Sequence, residues 1–177
     1  YKRQGVQASI GSDPVWGIGR RAWHGGGGPI LLCWRPVGRL SDAQWRALLE
    51  PLDQLARASG REVHWLPFHR DQDAGLLEDL QSRGLIPQAL AGRSRLVRAE
   101  DPEAAMALFQ AASLVLAMRL HGLILAALAG SPCAALSYDP KVAAAAAALG
   151  CPCQVLGEAP GEPLHSLWAD LLDRPPA

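Results

Sequence analysis

Lysine is almost missing from this chain. Of seventeen basic residues only Lys2 and Lys141 are lysines, which sets Lys141 apart as a choice where arginine is the default. Seventeen acidic residues balance the basic ones and the formal net charge is zero, so no uniform field draws the chain to nucleic acid or to an anionic membrane. No apolar run is long enough to span a bilayer: the region from Ala126 to Leu149 is interrupted by Gly130, Ser131, Pro132, Asp139, Pro140 and Lys141. A secretory apolar core is also missing near Tyr1. The four cysteines, Cys33, Cys133, Cys151 and Cys153, are scattered, and the Cys-Pro-Cys spacing is not that of a zinc site. They read as reduced structural thiols of a cytoplasmic protein, and no metal is expected. GxGxxG after a strand, GxxxxGK[ST], GxSxG and HExxH are all absent, which removes the usual signatures of dinucleotide, P-loop, serine-hydrolase and metalloprotease chemistry.

What is present is a regular alternation. ILLCW (30–34) is a continuous apolar strand, and SDAQWRALLEPLDQLARASG is a helix, with Ser41 as N-cap, leucines at helical spacing and Gly60 as its stop. EVHWLPF then reads as a strand and DQDAGLLEDLQSRG as an amphipathic helix, followed by SRLVRA and DPEAAMALFQAA. SLVLAM, HGLILAALAG, PCAALSY, KVAAAAAALG, CQVL and PLHSLWADLL continue the pattern to the end. Six strands, each followed by a helix, predict a doubly wound parallel sheet of the Rossmann-like α/β class, covered on both faces. At 177 residues there is room for one full domain. The glycine run 25–28 precedes a strand instead of opening a helix and reads as a hinge or disordered loop. The expected division is a segment 1–28 from an interdomain region and a domain 29–177. The opening YKRQGVQASIGSDPVW reads like a continuing strand and turn, so a preceding N-terminal domain is expected.

In such sheets ligands bind beyond the carboxyl ends of the strands. That rule gathers the polar residues that follow strands: Arg35 after ILLCW, His69 after HWLPF, Arg119 and His121 after SLVLAM, Asp139 and Lys141 after CAALSY. His121 falls in or beside the first turn of a helix, where free N–H groups favour an anion. Arg119 and Arg35 offer planar forks for phosphate or carboxylate, and Lys141 adds a point charge. The rim describes a pocket for a small, multiply charged anion.

MRLHGLILAALAGSPCAALSYDPKV, with strands ending in M-R-L-H and S-Y-D-P-K-V, resembles the C-terminal signature of the polysaccharide pyruvyltransferase family, in particular its cell-wall-polymer branch. GSDPVW (11–16), ILLCWRP and LPFHRDQD resemble further segments of the same family, so the likeness covers nearly the whole chain. It implies the C-terminal half of a glycosyltransferase-B-like fold, binding phosphoenolpyruvate as donor substrate with no cofactor. The implied reaction transfers the pyruvyl group to two hydroxyls of one sugar, forming a ketal and releasing phosphate. The acceptor is then a lipid-linked or polymeric saccharide held largely by the missing half, and the 177 residues alone are expected to be inactive. Surface-layer anchoring is the use that the cell-wall branch implies.

Within that reading His121 is the general acid or base, and Arg119, Lys141 and Arg35 hold the donor. Asp139 either orients Lys141 or caps the helix that follows it; Arg35 is either a donor ligand or a solvated loop residue before Pro36. His69 stands where the family more often has glutamine and is kept as a supporting residue. Asp13 reads as a turn residue before Pro14. The tryptophans read as core, except Trp16 and Trp23, which lie near the glycine run and are placed to face the missing domain or an acceptor sugar. Two rivals stay open. A nucleotide-sugar enzyme of the same architecture needs a late ribose-binding carboxylate, for which only Glu158 and Glu162 offer themselves; a non-catalytic anion-binding module would bind the donor and release no phosphate.

Overall fold

The structure, a computed structural model, describes residues 18–175. The GSDPVW segment, with Asp13 and Trp16, lies outside the described residues. The first strand, β1 (Ile30–Cys33), leads into α1 (Asp42–Ser59), then β2 (Val63–Trp65), three short helices α2 (Arg70–Asp73), α3 (Leu76–Ser82) and α4 (Gln88–Arg93), and β3 (Ser94–Leu96). The second half runs α5 (Pro102–Ala111), β4 (Leu114–Ala117), α6 (Leu120–Leu128), β5 (Cys133–Ser137), α7 (Pro140–Leu149), β6 (Cys153–Val155) and α8 (Leu164–Leu171).

The six strands form one parallel sheet in the order β3-β2-β1-β4-β5-β6, the Rossmann-like arrangement. All residues of β1, β4 and β5 are buried, because helices cover both faces. Alternate residues of β1 serve opposite layers. Ile30 and Leu32 pack with Trp34, Trp45, Trp65, Leu49 and Trp168, bringing α1, α3, α4 and α8 to one face. Leu31 and Cys33 pack with Phe109, Leu123 and Ile124, bringing α5, α6 and α7 to the other. The indoles of Trp34, Trp45 and Trp65 lie in contact, with centroid separations of 6.2 and 5.6 Å.

Local chemistry sets the helix ends as the residues dictate. Ser41 and Gln44 form a capping box on α1, Asp101 accepts the Ala104 N–H with Pro102 in the first turn of α5, and Gly60 and Gly150 close α1 and α7 in the left-handed region. Three details differ from the sequence expectation. The DQDAGLLEDLQSRG segment is two helices, α2 and α3, separated at Ala74-Gly75, and α4 precedes β3 where no helix was expected. The glycine run is a tight turn pressed on the end of α5, not a disordered loop. A Cβ on Gly25 would lie 2.2 Å from the Ala112 carbonyl oxygen and one on Gly28 would lie 2.0 Å from that of Ala111, so only glycine allows this approach. Trp23 turns inward, its indole N–H donating to the Ala112 carbonyl at 2.8 Å.

Candidate functional site

The winding of the sheet reverses between β1 and β4, and the crevice above their carboxyl ends is the place where a doubly wound sheet receives a ligand. The two strands end level, with Cys33 opposite Ala117. The Cys33 carbonyl accepts the N–H groups of both Met118 and Arg119, at 3.0 and 3.3 Å, which draws the chain leaving β4 across the end of β1. The first turn of α6 sits down on the same spot: a Cβ on Gly122 would come within 2.9 Å of the Cys33 Cβ. The glycine after His121 therefore fixes where Arg119 and His121 stand.

Arg119 is the N-terminal flanking residue of α6, and its partner comes from the far side of β1. Its Nε donates to Asp73 Oδ2 at 3.1 Å, Nη2 donates to Asp73 Oδ1, and Nη2 also reaches Gln72 Oε1 at 3.0 Å. Asp73 has no exposed side-chain surface, and Arg119 keeps 16% of its own. The same Asp73 Oδ2 accepts the backbone N–H groups of Phe68, at 3.2 Å, and His69, at 2.8 Å. One carboxylate thus folds the loop after β2 and aims the guanidinium that follows β4. Arg119 Nη1 makes no hydrogen bond to the described residues, so the edge it retains for a ligand is already oriented. Asp73 also bears on the floor of the crevice: burial, followed by the nearby Asp73 charge, pushes the Cys33 thiol well above its ordinary range and keeps it protonated.

His121 is exposed in the first turn of α6, and His69 is exposed at the head of α2, with its backbone rather than its ring on Asp73. Lys141 is exposed in the first turn of α7. Asp139 is the N-cap of α7, its Oδ1 accepting the Lys141 N–H at 2.8 Å, so of its two expected roles the helix cap is the one observed.

Arg35 spans the rim from β1 to β5. Its Nη1 donates to the Tyr138 hydroxyl at 2.9 Å, and its guanidinium carbon stands 5.0 Å from the centroid of the Tyr138 ring. Arg39, from the same loop, donates to the Tyr138 carbonyl. Together with Pro36, Val37 and Gly38 they line an open recess of about 290 Å³. A larger groove of about 540 Å³ lies between α1 and the loop from β6 to α8, bordered by Leu40, Val155, Leu156, Glu158 and His165. It is more voluminous but belongs to the β6 edge, away from the reversal of the sheet, so the crevice remains the better site.

A family model for polysaccharide pyruvyl transferase matches residues 1–140. The chain belongs to that family. No curated protein matches it. The part matched to the polysaccharide pyruvyl transferases takes in Arg35, His69, Arg119, His121 and Asp139, and stops one residue before Lys141. The family name gives a transferase of pyruvyl groups with a saccharide acceptor. Among the described residues no helix is long and apolar enough to cross a membrane.

Two participants carry roles that the sequence alone does not give. Asp73 lies within the quoted LPFHRDQD segment, yet its pairing joins residues 46 positions apart, and no local periodicity signals that. Arg39 looked like one more polar loop residue between Pro36 and Ser41; its only signal was its position four residues after Arg35 in a loop that leaves a strand end.

Proposed function

We propose that this chain is the donor-binding half of an enzyme that transfers the pyruvyl group of phosphoenolpyruvate to a sugar diol of a cell-surface polysaccharide, closing a ketal and releasing phosphate. The observation that carries the reading is the Asp73-oriented Arg119 beside His121 at the start of α6, over the crevice where the sheet reverses. The reaction asks for a proton at the methylene carbon of the donor, attack of a sugar hydroxyl on the carbon that becomes positive, departure of phosphate, and attack by the second hydroxyl. One hydroxyl proton ends on the new methyl group and the other on phosphate. Imidazole is the side chain suited to exchange such protons near neutral pH, and His121 takes that role. The remaining edge of Arg119 and the N-terminal end of α6 receive an anionic end of the donor, and the cations of the rim together stabilise charge on the departing phosphate. Lys141 and Arg35 contribute positive charge from the β5 and β1 loops, and His69 supports the loop beneath. No cofactor takes part, the reaction is placed in the cytoplasm, where the donor is made, and the acceptor is lipid-linked or polymeric saccharide, as for the cell-wall branch of the family.

Titration of phosphoenolpyruvate into the chain, by calorimetry, tests this reading. Saturable binding that is lost in Arg119→Ala, with no binding of UDP, is the expected outcome. Binding of UDP without phosphoenolpyruvate would transfer the assignment to a nucleotide-sugar enzyme.

A further inference from the structure

Most arginines with a defined role in this fold have a carboxylate. Arg21, Arg57, Arg61, Arg83, Arg95 and Arg119 all stand in ion pairs. Three others hold neutral partners among the described residues: Arg46 the Gly84 carbonyl, and Arg35 and Arg39 the Pro36 carbonyl, the Tyr138 hydroxyl and the Tyr138 carbonyl. The guanidinia of Arg35 and Arg39 line the same open recess, which contains no carboxylate of its own, and Lys141 follows three residues after Tyr138. The nearest acid in sequence, Asp139, has one oxygen engaged in capping α7. Arg119, by contrast, faces its ligand with a buried negative partner at its back.

Because β4 lies between β1 and β5 in the sheet, an arginine pair fastened from the β1 loop to the β5 loop stands over the end of β4, on the α1 side of the same rim that carries Arg119. Tyr138 gives the pair a rigid base. Its ring supports one guanidinium and its carbonyl holds the other, so each planar fork is ordered while it keeps N–H donors to spare.

We propose that Arg39 joins Arg35 over Tyr138 to form a phosphate-binding fork, with Arg39 as a specificity-determining residue for the phosphate group of the substrate. The assignment of that phosphate to phosphoenolpyruvate rests on the function proposed above; the fork itself rests on the geometry of the recess. Arg119 then meets the carboxylate end of the donor.

The test uses the whole 177-residue chain and three probes: inorganic phosphate, phosphoenolpyruvate and pyruvate, which carries the carboxylate without the phosphate. Arg39→Ala is expected to weaken phosphate and phosphoenolpyruvate about tenfold to a hundredfold, the loss of charge-assisted hydrogen bonds, and to leave pyruvate binding unchanged. Arg39→Lys, which keeps the charge without the fork, is expected to recover only part of that loss. Unaltered phosphate affinity in Arg39→Ala, an equal loss for pyruvate, or no phosphate binding by the native chain would each overturn the proposal. The two readings separate cleanly. Phosphate binding that needs Arg39 but is not displaced by phosphoenolpyruvate retains the fork and removes the donor assignment; phosphoenolpyruvate binding lost in Arg119→Ala and untouched in Arg39→Ala does the reverse.

Discussion

Replacing Asp73 with alanine should be among the most damaging single changes to this domain that leaves the apolar core intact. The Asp73 carboxylate is fully buried and serves four donors: Nε and Nη2 of Arg119 and the backbone N–H groups of Phe68 and His69. Removing it strands a half-buried guanidinium and two backbone donors. Breaking such a pair from one side costs about 3–5 kcal/mol. For a chain of this size, at about 2–4 °C per kcal/mol, the melting midpoint should fall by roughly 6–20 °C. Urea unfolding is the assay, because an unchanged slope would show that the loss lies in native stability and not in a more compact unfolded chain. Asp73→Asn should fall between the two, since an amide oxygen can keep the Phe68 and His69 N–H groups while its NH₂ opposes Arg119. The double variant Asp73→Ala/Arg119→Met should lose less than the sum of its parts, by at least about 1 kcal/mol, because it no longer leaves a charge without a partner. A loss under about 1 kcal/mol for Asp73→Ala, or strict additivity in the double variant, would refute the claim that this pair organises the crevice.

Gly122→Ala should destabilise by about 1–3 kcal/mol despite the better helix propensity of alanine, and Cys33→Ala should not rescue it, because the closest contact is with the Cys33 Cβ at 2.9 Å and not the sulfur; thermal melts of both variants decide this. Asp139→Ala should cost about 1 kcal/mol through the lost cap on α7, and Asp139→Asn only a small part of that, as read by urea unfolding. The thiols should separate by alkylation followed by mass spectrometry at neutral pH. A hydrogen bond from Cys133 holds the Cys151 thiol below its ordinary range, while burial raises Cys33, so Cys151 should label early and Cys33 only on unfolding; the reverse order would contradict the packing.

The sheet was legible because its central strands are uninterrupted apolar runs and its major helices carry their own punctuation. Ser41, Gly60, Asp101, Asp139 and Gly150 all act within a few residues of where they stand, so their roles follow from local chemistry. The rim could also be anticipated, since a residue after a parallel strand has few places to go. What could not be read was who meets whom across it. Arg119 finds its carboxylate in a four-residue helix beyond two neighbouring strands, and Arg35 finds Tyr138 at a separation of 103 residues. The glycine run misled for a different reason: four glycines signal freedom in isolation, but here two of them provide the absence of a side chain that lets the backbone touch α5.

The carboxylate behind Arg119 also bears on how the site responds to dissolved salt. With its charge already opposed by a buried partner, Arg119 projects little field beyond the crevice, and mobile ions have little to screen there. Arg35 and Arg39, facing an open recess without an opposing acid, stay fully subject to the ionic atmosphere. Ligand attraction and ligand alignment are thereby divided between two parts of one rim, and the slope of affinity against ionic strength becomes a measure of the first alone.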